Sequence, residues 1–155
     1  MIRNVLTLVS LFNIGFGIWV LIEPRFVIDQ LLYWQGSDPY GGNLTPGSFG
    51  EMRAMFGGLV LMFGVVTLRA LWNPAYAAWL QPLAWCLLGS ALARASSLIL
   101  DGGSRYTFIA ATLEATTALL LGVHSQRMLR EAEQEYDEDD EEYDDEYEDE
   151  DEELT

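Results

Sequence analysis

Residues 76–123 read YAAWLQPLAWCLLGSALARASSLILDGGSRYTFIAATLEATTALLLGV. Two apolar runs, Tyr76 to about Leu100 and Tyr106 to Val123, flank Asp101-Gly102-Gly103, a tight-turn signal. A helix needs about 20 mostly apolar residues to cross roughly 30 Å of hydrocarbon. With its flanking residues each run reaches that length, so the stretch reads as two antiparallel membrane-crossing helices. Gln81-Pro82 predicts a kink in the first of them.

Two further spans precede this hairpin. Val5 to Ile22 carries no charge, with Arg3 before it and Glu23-Pro24 closing it. Its apolar core is long for a signal peptide, and no small-x-small cleavage motif precedes Pro24, so it reads as a retained helix. Ala54 to Leu68 lies between Arg53 and Arg69. That run rises only about 22 Å, so Met52 to Trp72 must contribute, with the arginines snorkelling or pairing. The expected helices are about 4–22, 52–72, 75–100 and 105–135, within a transmembrane domain of residues 1–130. The fold class is an all-α four-helix transmembrane bundle. Trp19, Trp72, Tyr76, Trp79 and Tyr106 stand near span ends, at headgroup level.

The connection between the first two spans is long. Arg25 to Trp34 mixes apolar and polar residues and reads as a short interfacial helix, or as a loop folded over the helix ends. Gly36 to Gly50 is rich in Gly and Pro and should be irregular. Asn43-Leu44-Thr45 is a glycosylation sequon, which matters only in a eukaryotic secretory compartment.

Composition fits this plan once the charge is located. The chain has 155 residues, is half hydrophobic, and has a formal net charge of −16. Residues 131–155 hold 18 of the 24 acidic residues and no Arg or Lys. Residues 1–130 hold six acids against eight arginines, a nearly neutral and very apolar body. No cationic stripe exists to displace counterions from nucleic-acid phosphates. Cys86 is the one cysteine, which excludes a disulfide scaffold. All eight basic residues are Arg, a planar cation suited to paired and partly buried sites. Arg127 and Glu131 are spaced to extend the last helix past the membrane, and residues 136–155 read as a disordered acidic tail.

Lipid tails are as apolar as Leu, so membrane helices associate through small residues and interhelical hydrogen bonds. Each span carries one such stripe. They are Ser10, Asn13 and Gly17; Arg53, Gly57 and Gly64, with Gly58 beside them; Ser90, Arg94, Ser97 and Asp101; and Thr107, Ala111, Glu114, Ala118 and Gly122. Counted from the turn, Arg94 and Glu114 differ in depth by roughly 3 residues, about 4.5 Å along the axis. An Arg side chain spans that. The second span starts on the same membrane side, so a buried polar cluster of Arg53, Arg94 and Glu114, with Asp101 or Glu51, is expected. Its purpose has two readings. It is a functional site, for proton relay, anion binding or substrate, or it is a pairing device that fixes helix order and register.

These residues resemble a known pattern. Glu51-Met52-Arg53-Ala54-Met55-Phe56-Gly57-Gly58-Leu59 looks like the E-x-R-x-x-[YF]-G-G-L segment of the family called domain of unknown function 4345. Arg94 to Gly102 resembles its R-x-x-S-x-x-x-D-G segment, Glu114 its acidic residue in the last helix, and Pro24 its closing proline. The resemblance covers roughly residues 1–125 and implies a small four-helix membrane protein without an assigned activity. The acidic tail and the long first connection depart from the family pattern.

Other chemistry is thin. His124 has no metal-ligand partners at useful spacing, Gly57-Gly58 lacks the lysine of a phosphate loop, and no cofactor is expected. Arg3, Arg69, Arg127 and Arg130 outnumber Arg25 and Arg105, placing both termini in the cytoplasm by the positive-inside rule. The sequence therefore reads as a non-enzymatic accessory or interaction subunit in the cell membrane. The rival is a small transporter or permease component using Arg53, Arg94 and Glu114. An intramembrane enzyme has only Glu114 as a visible catalytic group. The expected partners are the lipid bilayer and a membrane protein or second copy. The tail is free to contact a basic surface or weakly bind divalent cations.

Overall fold

The computed structural model describes residues 1–35, 46–100, 102 and 104–152, with side chains described through Gln134 except at residues 46 and 48. The described residues are almost all helical. Helix α1 spans Ile2–Ile22 and ends at Glu23, whose N–H donates to the Trp19 carbonyl at 2.8 Å. Pro24 opens helix α2, Pro24–Trp34, where its missing N–H is no loss. This is the short helix expected from the sequence. It buries Pro24, Val27 and Ile28 and exposes Phe26, Tyr33 and Trp34.

Residues 36–45, including the Asn43-Leu44-Thr45 sequon, lie outside the described residues. The irregular stretch expected up to Gly50 ends sooner, because helix α3 spans Pro46–Met52. A π-helical turn, Arg53–Gly58, joins α3 to helix α4, Leu59–Trp72. Asn73 then breaks the helix, and its Oδ1 accepts from the Ala75 N–H at 3.0 Å. The irregularity expected at Gln81-Pro82 falls earlier, as a 3-10 segment over Pro74–Trp79 that leads into helix α5, Leu80–Leu100.

Gly102 adopts φ 71°, a conformation open to glycine and strained for L side chains, and so lets the chain reverse. Ser104 Oγ accepts from the Thr107 N–H at 3.2 Å, capping the start of helix α6, Arg105–Glu152. The helix continues where the sequence alone gives a disordered acidic tail, over 136–152, while residues 153–155 lie outside the described residues. Glu is a good helix former, and a helix already nucleated upstream extends without a new nucleation cost.

Four helices are long and apolar enough to cross a membrane: Ile2–Ile22, Phe49–Trp72, Pro74–Leu100 and Arg105–Gln134. They associate as two antiparallel pairs, α1 with α4 and α5 with α6. The first pair packs through glycine. A Cβ on Gly64 would stand 2.6 Å from the Ser10 carbonyl oxygen, and one on Gly17 would stand 2.7 Å from the Leu61 nitrogen. A Cβ on Gly57 would meet the Leu21 side chain at 2.8 Å. Backbone approach this close needs hydrogen in place of a side chain. Gly58 meets only its own helix, at the Arg53 carbonyl. In the second pair, Ala84, Ala91 and Ala118 are buried, and Ala111 is half-buried.

The two pairs join at one end. Leu6, Ala70, Leu71, Leu80, Ala84 and Leu121 form the buried cluster there. Ser125 Oγ donates to the Ala77 carbonyl at 3.0 Å, tying α6 to the 3-10 segment. At the other end α2 reaches from the foot of α1 to the start of α6, where the Trp34 and Tyr106 rings lie 6.3 Å apart.

Gly17→Ala and Gly64→Ala should each destabilise the chain by about 1–3 kcal/mol, since a methyl has no room between the backbones. A Cβ on Gly89 would meet nothing within 4 Å. Gly89→Ala should be neutral or stabilising by up to about 1 kcal/mol. Thermal unfolding in detergent measures all three.

Candidate functional site

The polar centre is built by two helices leaving one turn. Arg94 precedes Gly102 on α5, and Glu114 follows it on α6. Arg94 Nε donates to both Glu114 carboxylate oxygens at 3.0 Å. The side chains are 29% and 20% exposed, so the pair is half-buried within the chain itself. The Arg94 guanidinium carbon also lies 5.8 Å from the Tyr106 ring centroid, within cation–π range. Tyr106 in turn meets Trp34 of α2. One cation is thus held by a carboxylate on one side and an aromatic ring on the other.

The structure does not gather Arg53 or Glu51 with this pair. Arg53 is exposed and donates from Nε to the Leu21 carbonyl at 3.1 Å. That carbonyl belongs to the last turn of α1, where helix carbonyls lack internal partners. Glu51 is exposed at the end of α3, and among the described residues it forms no ion pair. Asp101 lies outside the described residues. Among the described residues the expected cluster is therefore a pair. The physical reason is lateral. Arg53 opens the π-helical turn before α4, beside α1, and the two helix pairs meet at the opposite end of the bundle.

Two arginines at the joined end, Arg3 and Arg69, engage aromatic rings. Arg3 lies over Trp72 at 5.2 Å. Arg69 lies over Tyr76 at 4.5 Å and donates from Nη2 to its hydroxyl at 2.8 Å. A planar guanidinium stacks in this way, which an ammonium cannot reproduce. By sequence these aromatics read as headgroup anchors, and their part as arginine partners goes unseen. The available signal is Tyr76 standing seven residues after Arg69, and Trp72 at the end of the span beside Arg3. Two polar atoms remain buried without a partner among the described residues, Thr67 Oγ1 and His124 Nε2.

The fold and this centre define a class: an all-α chain with four helices of membrane-crossing length and an arginine–glutamate pair between two of them. The chain belongs to the family described as Domain of unknown function (DUF4345), whose model matches residues 1–124. Neither curated proteins nor solved structures give a match.

Removing either partner should expose the cost of the one left behind. Arg94→Ala and Glu114→Ala should each destabilise by about 2–3 kcal/mol, because a partly buried charge loses its hydrogen bonds. Glu114→Gln keeps an acceptor and should cost about 1 kcal/mol. The double variant Arg94→Ala/Glu114→Ala should lose clearly less than the sum of the singles. Additive losses in a thermal-unfolding cycle would contradict the pairing.

Proposed function

We propose that the chain is a multi-pass integral membrane protein with both termini in the cytoplasm, acting as a non-enzymatic accessory or interaction subunit. One observation carries this reading. Large apolar side chains face outward along all four long helices, with Leu8, Phe12, Met62, Trp85, Leu113 and Leu119 all more than half exposed. Water makes such a surface costly, whereas lipid or a partner helix matches it.

The accessory role is supported by how the polar groups are used. Arg94 closes on Glu114, Arg53 on the Leu21 carbonyl and Arg69 on Tyr76, so these cations already serve the fold. A transport path through Arg53, Arg94 and Glu114 needs the three together, and Arg53 points elsewhere. The outer faces of α5 and α6 leave wide apolar surface for a membrane-protein partner or a second copy. The acidic C-terminal segment supplies a charged handle for a basic surface or, weakly, for divalent cations.

The test is native purification of the full chain from membranes in mild detergent, with and without residues 131–155, followed by native mass spectrometry. The expected result is a complex of fixed stoichiometry that resists carbonate extraction and weakens on truncation. A chain that stays soluble without detergent contradicts the membrane reading. A detergent-extracted monomer, joined to solute uptake into vesicles that is lost in Glu114→Gln, contradicts the accessory reading and favours transport.

A further inference from the structure

A second constellation lies at the corner between α1 and α2, away from the Arg94–Glu114 pair. Trp19 from the last turns of α1, Glu23 at the break, and Arg25, Phe26 and Asp29 from α2 line an open cavity of about 460 Å³. It is open to its surroundings, as a site for the headgroup of a lipid would be. We infer that this corner binds a phospholipid headgroup carrying an ammonium group.

Depth is the first argument, and it rests on the membrane reading above. Ile22 ends the apolar span, and the chain turns at Glu23 into an amphipathic helix with Val27 and Ile28 buried. Such a break falls at headgroup level. Exposed Ile18 and Ile22 continue from the cavity along α1, where acyl chains would lie.

Chemistry selects the headgroup. The Trp19 and Phe26 rings stack at 5.2 Å with a 24° interplanar angle, and both residues are about half exposed. Open aromatic faces attract cations, alkylammonium groups above all. Glu23 and Asp29 add two carboxylates, against one guanidinium from Arg25. Among the described residues the sole ion pair joins Arg94 to Glu114, so none of these three charges is consumed by another. The lining thus holds net negative charge beside two rings, which favours a cation. Arg25 supplies donors for a phosphate next to that cation. Ethanolamine and choline headgroups carry both groups a few bonds apart. A glycerol headgroup carries the phosphate alone and meets two unpaired carboxylates.

The experiment presents the full chain in detergent with equimolar phosphatidylethanolamine and phosphatidylglycerol and reads bound lipid by native mass spectrometry. The wild-type chain should retain the ethanolamine lipid at least about fivefold over the glycerol lipid. Glu23→Gln/Asp29→Asn and Trp19→Leu should each bring that ratio toward one. These side chains lie outside the buried cluster, and unchanged helicity by circular dichroism verifies that the variants fold. A parallel arm adds millimolar free phosphoethanolamine. Displacement of lipid shows the headgroup recognised alone, and retention shows the acyl chains contributing along α1, both supporting the site. Equal retention of the two lipids by the wild type, or a ratio unchanged in both variants, overturns it. Flotation of the same preparation with vesicles separates the failures. A chain that does not float overturns the membrane reading, and one that floats without lipid preference overturns the headgroup site alone.

Discussion

A carboxylate and a guanidinium 3.0 Å apart bridge α5 and the apolar first part of α6, the two helices that leave the Gly102 turn. Neither ion alone belongs in a hydrocarbon-facing helix, where an unpaired charge costs at least about 2.5–3.5 kcal/mol. Together they satisfy each other across the hairpin around Gly102. A slide of one helical turn would separate them. A pair of this kind can add specificity where small residues alone pack.

The other helix pair solves the same problem without charge. Between α1 and α4, Gly17, Gly57 and Gly64 let backbones approach until a methyl group has no space. Such contact is shape-specific, and it needs no polar group at depth. The two pairs then join through a small apolar cluster at one end and through α2 at the other. Much apolar surface is left outward, and the functional reading grows from that surplus.

Legibility in the sequence follows the range of the interactions. Span limits are readable because Pro24, Pro74 and the Gly102 turn are local punctuation. Pairing of Arg94 with Glu114 is readable because both are counted from one turn, so depth reduces to residue number. The position of Arg53 is not. It depends on which helix stands beside α4, and a π-helical turn over Arg53–Gly58 alters the helical phase. Arginine–aromatic contacts such as Arg3 with Trp72 join distant residues, which periodicity does not reveal. In the C-terminal segment two local tendencies compete, since Glu favours helix and like charges repel. The structure carries the helix to Glu152.

The central claim is a closed ion pair inside the α5–α6 hairpin in lipid. Its most direct test is solid-state NMR on the full chain in vesicles, recoupling ¹⁵N-labelled Arg94 with ¹³C-labelled Glu114. The account predicts a strong guanidinium–carboxylate dipolar coupling, matching the 3.0 Å nitrogen–oxygen contact. No detectable coupling between these two side chains in the bilayer would contradict it.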